Sequence, residues 1–467
     1  MSKMTNSRLA LLALAGLGAV ASGPAFADGM TVDSRGGLEV FQTSSKDYWF
    51  RFGGRLMFDQ AWFDVGDLGS GFGSGAQIRN ARVSLKGGVG SHWVYKLDVD
   101  FIDAAGRPGD SRFGEAWLGY DACDAFFFAL GQISVPFGLE NWGSSSDTPF
   151  MELSLPSNAF APYYGLGLYA EWHGQVITAA GAVYHPYGAG HRQTGDVISS
   201  PPRDAALITA TNPLGLVPGS GRLGSAPGSD TLGAAARFTF SPVHDNYTVY
   251  HAGISGRYED YHNEANGFDY FTGMEVRARQ TPVLFTNIPP NSVKDSQVYG
   301  LELAGRWGPT ILQGEYMWAR ANRDDIYPVN DLRNPAGDQK YHGYYVEASY
   351  VLTGETKEYD FNSGTFGAVH PKCRTGAWEI LARHSYVNLL DNQALASNPY
   401  FLFIDFPINN FTNFVDGTDI VGSSHATTIG LTWWVNDNVR FLANYNRTSL
   451  PADFSISILG LRGQVIW

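Results

Sequence analysis

Residues 93–101, with the sequence WVYKLDVDF, decide the fold class. The odd-numbered residues of this stretch are all aromatic or aliphatic, whereas its even-numbered residues include Lys96, Asp98 and Asp100. This period of two is typical of a β-strand, whose successive side chains point to opposite faces. The same alternation recurs along the chain and predicts about sixteen strands, at 48–62, 76–87, 93–101, 112–121, 125–134, 164–173, 175–186, 230–242, 247–261, 296–307, 310–323, 341–353, 374–389, 423–435, 439–450 and 455–467.

The strand ends and the lengths of the connections indicate a membrane barrel. Aromatic side chains tend to stand at both ends of the predicted strands, as in the aromatic girdles of outer-membrane barrels. Short turns such as 88–91 and 436–438 alternate with long connections such as 135–163 and 390–422, and only 354–373 is long where a short turn is expected. The sequence therefore predicts an all-β, transmembrane antiparallel β-barrel with short periplasmic turns and long extracellular loops.

Composition excludes several other classes of protein. The chain of 467 residues is 44% hydrophobic but only 16% charged. Its one long apolar run, residues 9–21, is shorter than the roughly 20 residues that a membrane-spanning helix needs, so a polytopic helical membrane protein is excluded. The formal net charge of −13 argues against a nucleic-acid-binding protein.

The sequence contains no motif for catalysis or metal binding. Cys123 and Cys373 cannot form a disulfide framework or a cysteine-rich metal site, and nothing in the sequence places them together. There is no His-Glu-x-x-His motif and no nucleophile elbow, and the 11 histidines lack paired spacing. We therefore expect no enzymatic activity, no metal and no cofactor.

The first 27 residues have the organisation of a secretory signal peptide. Lys3 and Arg8 form a positive region, residues 9–20 an apolar region, and residues 25–27 (AFA) a small-x-small cleavage site. Residues 1–27 are thus predicted to be a signal peptide and residues 28–467 a single outer-membrane barrel domain. The last strand alternates up to the terminal Trp467.

Several local sequences resemble the phosphate-selective porin O/P family of outer-membrane proteins. The most specific pieces are PFGLE and NAFAP, within 131–140 and 150–162, and they occur in the order of the family. Further matching stretches lie at 36–40, 53–56, 79–87, 352–355, 376–379 and 431–445. The resemblance implies a sixteen-stranded barrel, a homotrimer and a constriction formed by loops folded into the lumen. It also accounts for the long connection at 354–373.

Phosphate-selective members of the family carry basic residues that this chain replaces. An Arg-Arg pair on their second strand corresponds to Arg79 and Asn80, an Arg on their fifth strand to Gln132, and a later Lys to Asn141. Arg55 is retained. Because most of the phosphate-coordinating set is absent, the resemblance does not carry phosphate selectivity over to this chain.

The candidate functional residues are charged side chains predicted to face the lumen, because a pore selects solutes by the groups at its narrowest point. Arginine is the better anion contact, since its planar guanidinium binds phosphate or carboxylate through two hydrogen bonds. For loop 135–163, the resemblance favours an inward fold that forms the constriction over the alternative of an ordinary external loop. The predicted pore-lining anion contacts are Arg51, Arg55, Arg82, Lys86, Lys96, Arg306 and Arg383, and the opposing acidic residues are Asp98, Asp100, Glu302 and Glu347.

Together these features predict an outer-membrane porin that passes ions and small hydrophilic solutes, anions among them, by passive diffusion. Its expected partners are those solutes and outer-membrane lipid. A phosphate or polyphosphate channel is the alternative within this class, and it rests on the resemblance alone. A surface adhesin or structural barrel is the alternative from another class, while the missing catalytic motifs disfavour a barrel enzyme.

Overall fold

The computed structural model describes residues 29–33, 37–41, 47–64, 74–102, 108–186, 232–261, 270–277, 283–285, 293–323, 338–391, 422–451 and 455–467. The predicted signal peptide lies outside these residues. The helices are α1 Leu139–Trp142 and α2 Leu155–Phe160. The strands are β1 Gly29–Asp33, β2 Gly37–Phe41, β3 Tyr48–Asp64, β4 Gly75–Val89, β5 Trp93–Ile102, β6 Pro108–Cys123, β7 Phe126–Ser134, β8 Tyr164–His173, β9 Ile177–His185, β10 Leu232–His244, β11 Thr248–Asp260, β12 Phe271–Gly273, β13 Val283–Phe285, β14 Val293–Trp307, β15 Thr310–Arg323, β16 Gln339–Val351, β17 Lys357–Asp360, β18 Thr365–Val369, β19 Ala377–Asn388, β20 Ser423–Trp434, β21 Val439–Ser449 and β22 Ser455–Ile466.

Sixteen of these strands form one closed antiparallel barrel, as the sequence predicts. The barrel strands are β3 to β11, β14 to β16 and β19 to β22, each paired with the next. β22 pairs with β3 and closes the ring, with Arg462 opposite Asp59. The β1–β2 hairpin extends the periplasmic edge of β3, where Glu39 stands opposite Arg51. The sequence did not predict this hairpin.

The barrel wall is apolar outside and polar inside. Leu303, Leu168 and Leu130 are more than half exposed on the outer face, whereas Arg383 and Glu302 on the inner face are almost fully buried. A spanning strand needs this alternation because one of its faces meets lipid and the other meets the lumen. The same requirement explains why so few residues of the chain are charged.

A β-bulge interrupts the register between β3 and β4. Asn80 stands opposite Met57, and Arg79 beside it has no opposite residue. An extra residue in one strand redirects the side chains around it. As a result Arg79 and Asn80 both reach the lumen, where Arg79 contacts Glu152 and Asn80 contacts Arg55.

The long connection between β16 and β19 turns back into the barrel. It contains β17 and β18, which pair as a two-stranded hairpin. Tyr359 of this hairpin lies 2.8 Å from Nδ1 of His251 on β11, and Lys357 Nζ lies 2.6 Å from Glu379 Oε1 on β19. The hairpin therefore occupies the periplasmic part of the lumen. The sequence identified this connection as too long but did not predict its strands.

The apolar core lies inside the barrel, between the wall and the inserted segments. Phe137, Leu155 and Phe160 of loop 135–163 are fully buried, as are Met274 and Val276 of the connection between β11 and β14. Packing of these side chains fixes the inserted segments in place. The constriction is consequently built on a packed core rather than on a free loop.

Three further observations concern only the described part of the chain. Cys123 and Cys373 are both free and exposed, so they do not pair with each other. No helix there is long and apolar enough to cross a membrane. No group of three or more His, Cys, Asp or Glu side chains there is arranged to hold a metal ion.

Candidate pore constriction and lumen charges

Loop 135–163 leaves the wall after β7 and folds across the lumen. The carboxylate of Glu315 on β15 accepts hydrogen bonds from the backbone N–H of Leu139 at 2.8 Å and of Glu140 at 2.9 Å. Farther along the loop, the Met151 N–H donates to Oδ1 of Asn444 on β21 at 2.9 Å. The loop is thus attached to two separate parts of the wall, and the predicted inward fold is confirmed.

The turn into α1 depends on a glycine. Gly138 has a φ of 70°, a conformation that glycine adopts without steric cost. A Cβ at this position would lie only 2.7 Å from a carboxylate oxygen of Glu315. The close approach of the loop to the wall therefore requires the absence of a side chain here.

Arg383 on β19 connects the wall to two inserted segments. Its Nη1 donates to Glu140 Oε1 at 2.8 Å, and its Nη2 donates to the backbone carbonyl of Glu152 at 2.9 Å. Nη2 also lies 3.0 Å from Oε2 of Glu275, which belongs to the connection between β11 and β14. Ser154 donates its hydroxyl to Glu140 at 2.6 Å and closes the loop on itself. These contacts leave the guanidinium fully buried.

Three arginines from three elements converge on Glu152 at the far end of the loop. Arg79 donates through Nε and Nη2 at 2.7 and 3.0 Å, and Arg462 through Nη2 at 3.0 Å. Arg277 Nε lies 3.6 Å away. Burial raises the pKa of Glu152, but the three positive charges outweigh burial and hold this pKa well below its usual range. The carboxylate therefore stays charged, and the loop stays attached.

Arg55, which the sequence predicts to lie in the constriction, ties the tip of the loop to β3. Its Nη1 donates to the hydroxyls of Ser145 at 2.7 Å and of Ser146 at 2.9 Å, and its Nε donates to Asn80 Oδ1 at 2.5 Å. The side chain thus lies between the wall and the loop. Its contact with permeating solute remains a prediction.

Basic side chains form two rows across β3, β4 and β5. Arg51, Lys86 and Lys96 stand directly opposite one another in the first row, and Arg55 stands opposite Arg82 in the second. Opposite residues on neighbouring strands have Cβ atoms about 5 Å apart. We call Arg51, Lys86 and Lys96 the basic row. Positive charge is concentrated on this part of the lumen wall.

Acidic side chains balance part of this charge. Asp98 lies 4.0 Å from Arg82 Nη1 and 3.5 Å from Lys96 Nζ, and Asp100 lies 3.6 Å from Arg82 Nη2. Lys96 also forms an ion pair with Glu115. Asp98 and Asp100 are nearly inaccessible, whereas the Lys96 side chain keeps 27% of its surface exposed. The cations of this part of the wall are therefore more accessible than their counterions.

The ends of the basic row differ from its middle. Arg51 pairs with Glu39 of the β1–β2 hairpin at 2.6 Å, and its side chain remains 38% exposed. Lys86 in the middle is exposed, and no residue in the described ranges forms an ion pair with it. Lys86 is thus more available to a passing anion than Arg51 and Lys96, which both have carboxylate partners.

The remaining predicted lumen residues lie on the inner face but deeper in the packing. Arg306 donates to a backbone carbonyl of the β17–β18 hairpin at 2.6 Å. Glu302 accepts hydrogen bonds from Nε and Nη2 of Arg237 at 2.8 and 2.7 Å. Glu347 Oε2 lies 3.6 Å from Arg383 Nη1. Arg306 and Arg383 thus hold inserted segments, whereas Glu302 and Glu347 pair with arginines of other wall strands. A role for these four residues in solute contact remains a prediction.

The sequence interpretation missed charged residues that matter at the constriction. Arg237 and Glu315 lie on predicted strands, and their alternation with outward residues such as Phe238 could have placed them in the lumen. Glu275 and Arg277 lie in a connection that has no periodic signal. Only the folded course of that connection brings these two residues to the wall.

The chain forms a closed antiparallel barrel with an apolar outer face and a charged lumen, and a loop folds across that lumen. These features define an outer-membrane porin. The family model for the phosphate-selective porins O and P matches residues 50–449, and the chain belongs to this family. The protein is accordingly a channel of the cell outer membrane.

Two kinds of relatives are similar to the chain. Porin O of Pseudomonas aeruginosa is 27% identical over 449 residues, which cover 91% of this chain and 90% of that protein. Among solved structures, Salmonella typhi OmpF in complex with daunomycin has a TM-score of 0.44 and 10% identity, covering 90% of this chain and 98% of that one. Pseudomonas aeruginosa OpdQ has a TM-score of 0.39 and 10% identity, covering 90% of this chain and 99% of that one.

Proposed function

We propose that the channel passes small hydrophilic solutes and ions by passive diffusion and prefers anions. The observation that carries this proposal is the basic row, in which Lys86 is exposed and has no ion-pair partner in the described part of the chain. Exposed charges of one sign on a low-dielectric wall attract mobile ions of the other sign. Passive flow needs no catalytic residue, and the known relatives of the family are channels.

Family membership supports further proposals about assembly and processing. We infer that residues 1–27 are removed as a signal peptide and that residues 28–467 form a single barrel domain. We also infer a homotrimer, as the family resemblance implies. Mass spectrometry of protein purified from outer membranes tests both: it should give a mature chain starting at Asp28 and a complex of three copies.

We do not propose phosphate selectivity for this channel, although the family is named for it. The Arg79 guanidinium donates two hydrogen bonds to Glu152, at 2.7 and 3.0 Å. Asn80, where selective members carry a second Arg, accepts a hydrogen bond from Arg55. This part of the lumen therefore does not offer the free bidentate groups that a phosphate site needs.

The test is the reversal potential of the purified channel in planar bilayers under a potassium chloride gradient. Wild-type channels should favour chloride. A unit charge acting through water on an ion about 8 Å away contributes about 0.5 kcal/mol, with opposite sign for chloride and potassium, so Lys86→Gln should lower the chloride-to-potassium permeability ratio about fivefold. Lys372→Gln removes the same charge from an exposed turn outside the lumen and should leave the ratio unchanged.

Two results would overturn the proposal. One is the absence of conductance, which would favour an adhesin or structural barrel. The other is a ratio that Lys86→Gln leaves at the wild-type value. Adding inorganic phosphate to the same bilayers examines the family alternative, and block of the chloride current at low phosphate concentration would favour a selective channel.

A further inference from the structure

Negative charge is in excess around Arg383. Glu140, Glu275 and Glu347 place carboxylate oxygens 2.8, 3.0 and 3.6 Å from its guanidinium nitrogens, and all three side chains are at least nine-tenths buried. One guanidinium cannot neutralise three carboxylates. Lys357, a further cation of this part of the lumen, is paired with Glu379 at 2.6 Å.

A cavity of ≈ 40 Å³ lies directly beside this cluster. Loop 135–163 forms one side of it, β15, β16 and β19 form the wall, and the β17–β18 hairpin closes the periplasmic side. Ser144 of the loop also lines it and is exposed. The cavity therefore lies at the constriction, where a permeating solute passes the loop.

Two buried polar atoms in the cavity wall have no hydrogen-bond partner in the described part of the chain. They are Oε2 of Glu347 and Oγ of Ser349, and both side chains are more than nine-tenths buried. Gln313 stands directly opposite Glu347 on β15, and Ser349 follows Glu347 by two residues on the same face of β16. Leaving buried polar groups unsatisfied is costly, so such groups indicate a bound partner.

The geometry points to a positively charged hydrogen-bond donor as that partner. The cavity wall holds a carboxylate, a hydroxyl and an amide, each of which can accept a hydrogen bond, and a primary ammonium group has three N–H donors and one positive charge. We propose that the cavity lined by Gln313, Glu347 and Ser349 is a subsite for the primary ammonium group of a permeating solute. This inference rests on the proposed function in one respect, namely that the solute reaches the site through the channel.

The subsite and the basic row are separate features of the lumen. The basic row lies on β3, β4 and β5, whereas the cavity lies on β15, β16 and β19. A solute that carries both an ammonium group and an anionic group would meet opposite charges on different parts of the wall. Binding of an ammonium group at the cavity is therefore compatible with the proposed preference of the channel for anions.

The experiment measures block of the potassium chloride current by methylammonium in planar bilayers. Tetramethylammonium is the matched probe, because it has the same charge but no N–H donor. Wild-type channels should be blocked by methylammonium and not by tetramethylammonium. Glu347→Gln should raise the half-blocking concentration about tenfold, since it removes a charge-assisted hydrogen bond, and Ser349→Ala should raise it about threefold.

Glu358→Gln is the matched control, because Glu358 is an exposed acid on the neighbouring hairpin and does not line the cavity. It should leave the half-blocking concentration unchanged. If Glu347→Gln fails to insert, Ser349→Ala and Gln313→Leu carry the test instead.

The inference is overturned if methylammonium does not block, if tetramethylammonium blocks equally well, or if the cavity variants keep the wild-type half-blocking concentration. If the channel gives any of these results but still prefers chloride, the ammonium subsite is excluded and the proposed anion preference stands. Loss of the chloride preference with intact methylammonium block is the opposite outcome, and it overturns only the proposed function.

Discussion

The guanidinium of Arg383 lies 4.2 Å from the centre of the Phe150 ring, so the inserted loop covers the same arginine that its Glu140 binds. Cation–π contact and ion pairing act on one side chain that is removed from water. Arg383 thus attaches the constriction to the wall, and its removal should lower the stability of the protein.

Arg383→Met should destabilise the protein by about 3–5 kcal/mol, because it leaves buried carboxylates without their cation. The measurement is the free energy of unfolding of the purified protein in detergent micelles. Arg374→Gln removes an exposed arginine from a nearby turn and should change stability by less than about 0.5 kcal/mol. Equal stability of Arg383→Met and wild type would contradict the attachment role.

Arg55→Glu should make the channel more selective for cations and loosen the tip of the loop. The substitution reverses the charge beside the constriction and replaces the donor that binds Ser145 and Ser146 with an acceptor. We expect the chloride-to-potassium permeability ratio to fall about thirtyfold, since the charge reversal doubles an effect on this ratio of about 1 kcal/mol. Arg374→Glu serves as the control, and an unchanged reversal potential would remove Arg55 from the constriction.

The attachment of loop 135–163 through Glu152 should resist moderate acid. The pKa of Glu152 is lowered in the folded protein, so its ion pairs contribute stability that is complete above the ordinary carboxyl pKa. This contribution declines only as the pH falls below the ordinary pKa toward the folded value. The stability difference between wild type and Glu152→Gln should therefore be constant from about pH 7 to about pH 5 and should shrink below about pH 4. A difference that already shrinks between pH 7 and pH 5 would contradict this assignment.

Shortening the β17–β18 hairpin should widen the periplasmic part of the pore. The hairpin occupies the lumen through contacts such as that of Lys357 with Glu379, but it contributes no strand to the closed barrel. Replacing residues 357–369 with a short Gly-Ser linker should leave the protein inserted in the membrane and raise single-channel conductance. A linker of the same composition in place of the turn at 436–438 is the control. Conductance at the wild-type level would show that the hairpin does not limit flow.

The sequence predicted the barrel because the strand period is visible without knowledge of any contact. In the strand at 93–101 and its counterparts, alternation alone shows which side chains face the lumen and which face outward. The inward course of loop 135–163 came from the resemblance, since no local pattern specifies which way a loop turns. Contacts between distant segments, such as the one between Glu275 and Arg383, cannot be predicted from the alternation of residues along a strand.

The bulge between β3 and β4 shows that alternation alone does not identify every residue that faces the lumen. A strict period of two would place Arg79 and Asn80 on opposite faces. The extra residue in β4 brings both side chains to the lumen instead. Register shifts of this kind depend on strand pairing, and a single sequence does not show them.

The closure of the barrel joins β3, the first strand of its wall, to β22 and the residue that follows it. Trp467 and Gly54 exchange two backbone hydrogen bonds of 3.0 and 2.9 Å, and Arg462 pairs with Asp59 across 403 residues of chain. Joining ends so far apart costs roughly 3 kcal/mol more than closing a ten-residue hairpin. An open edge strand in lipid leaves its backbone groups unsatisfied. A chain that lacks β22 therefore has no way to seal its wall, and selective flow through the lumen begins only after β22 has been made and delivered to the membrane.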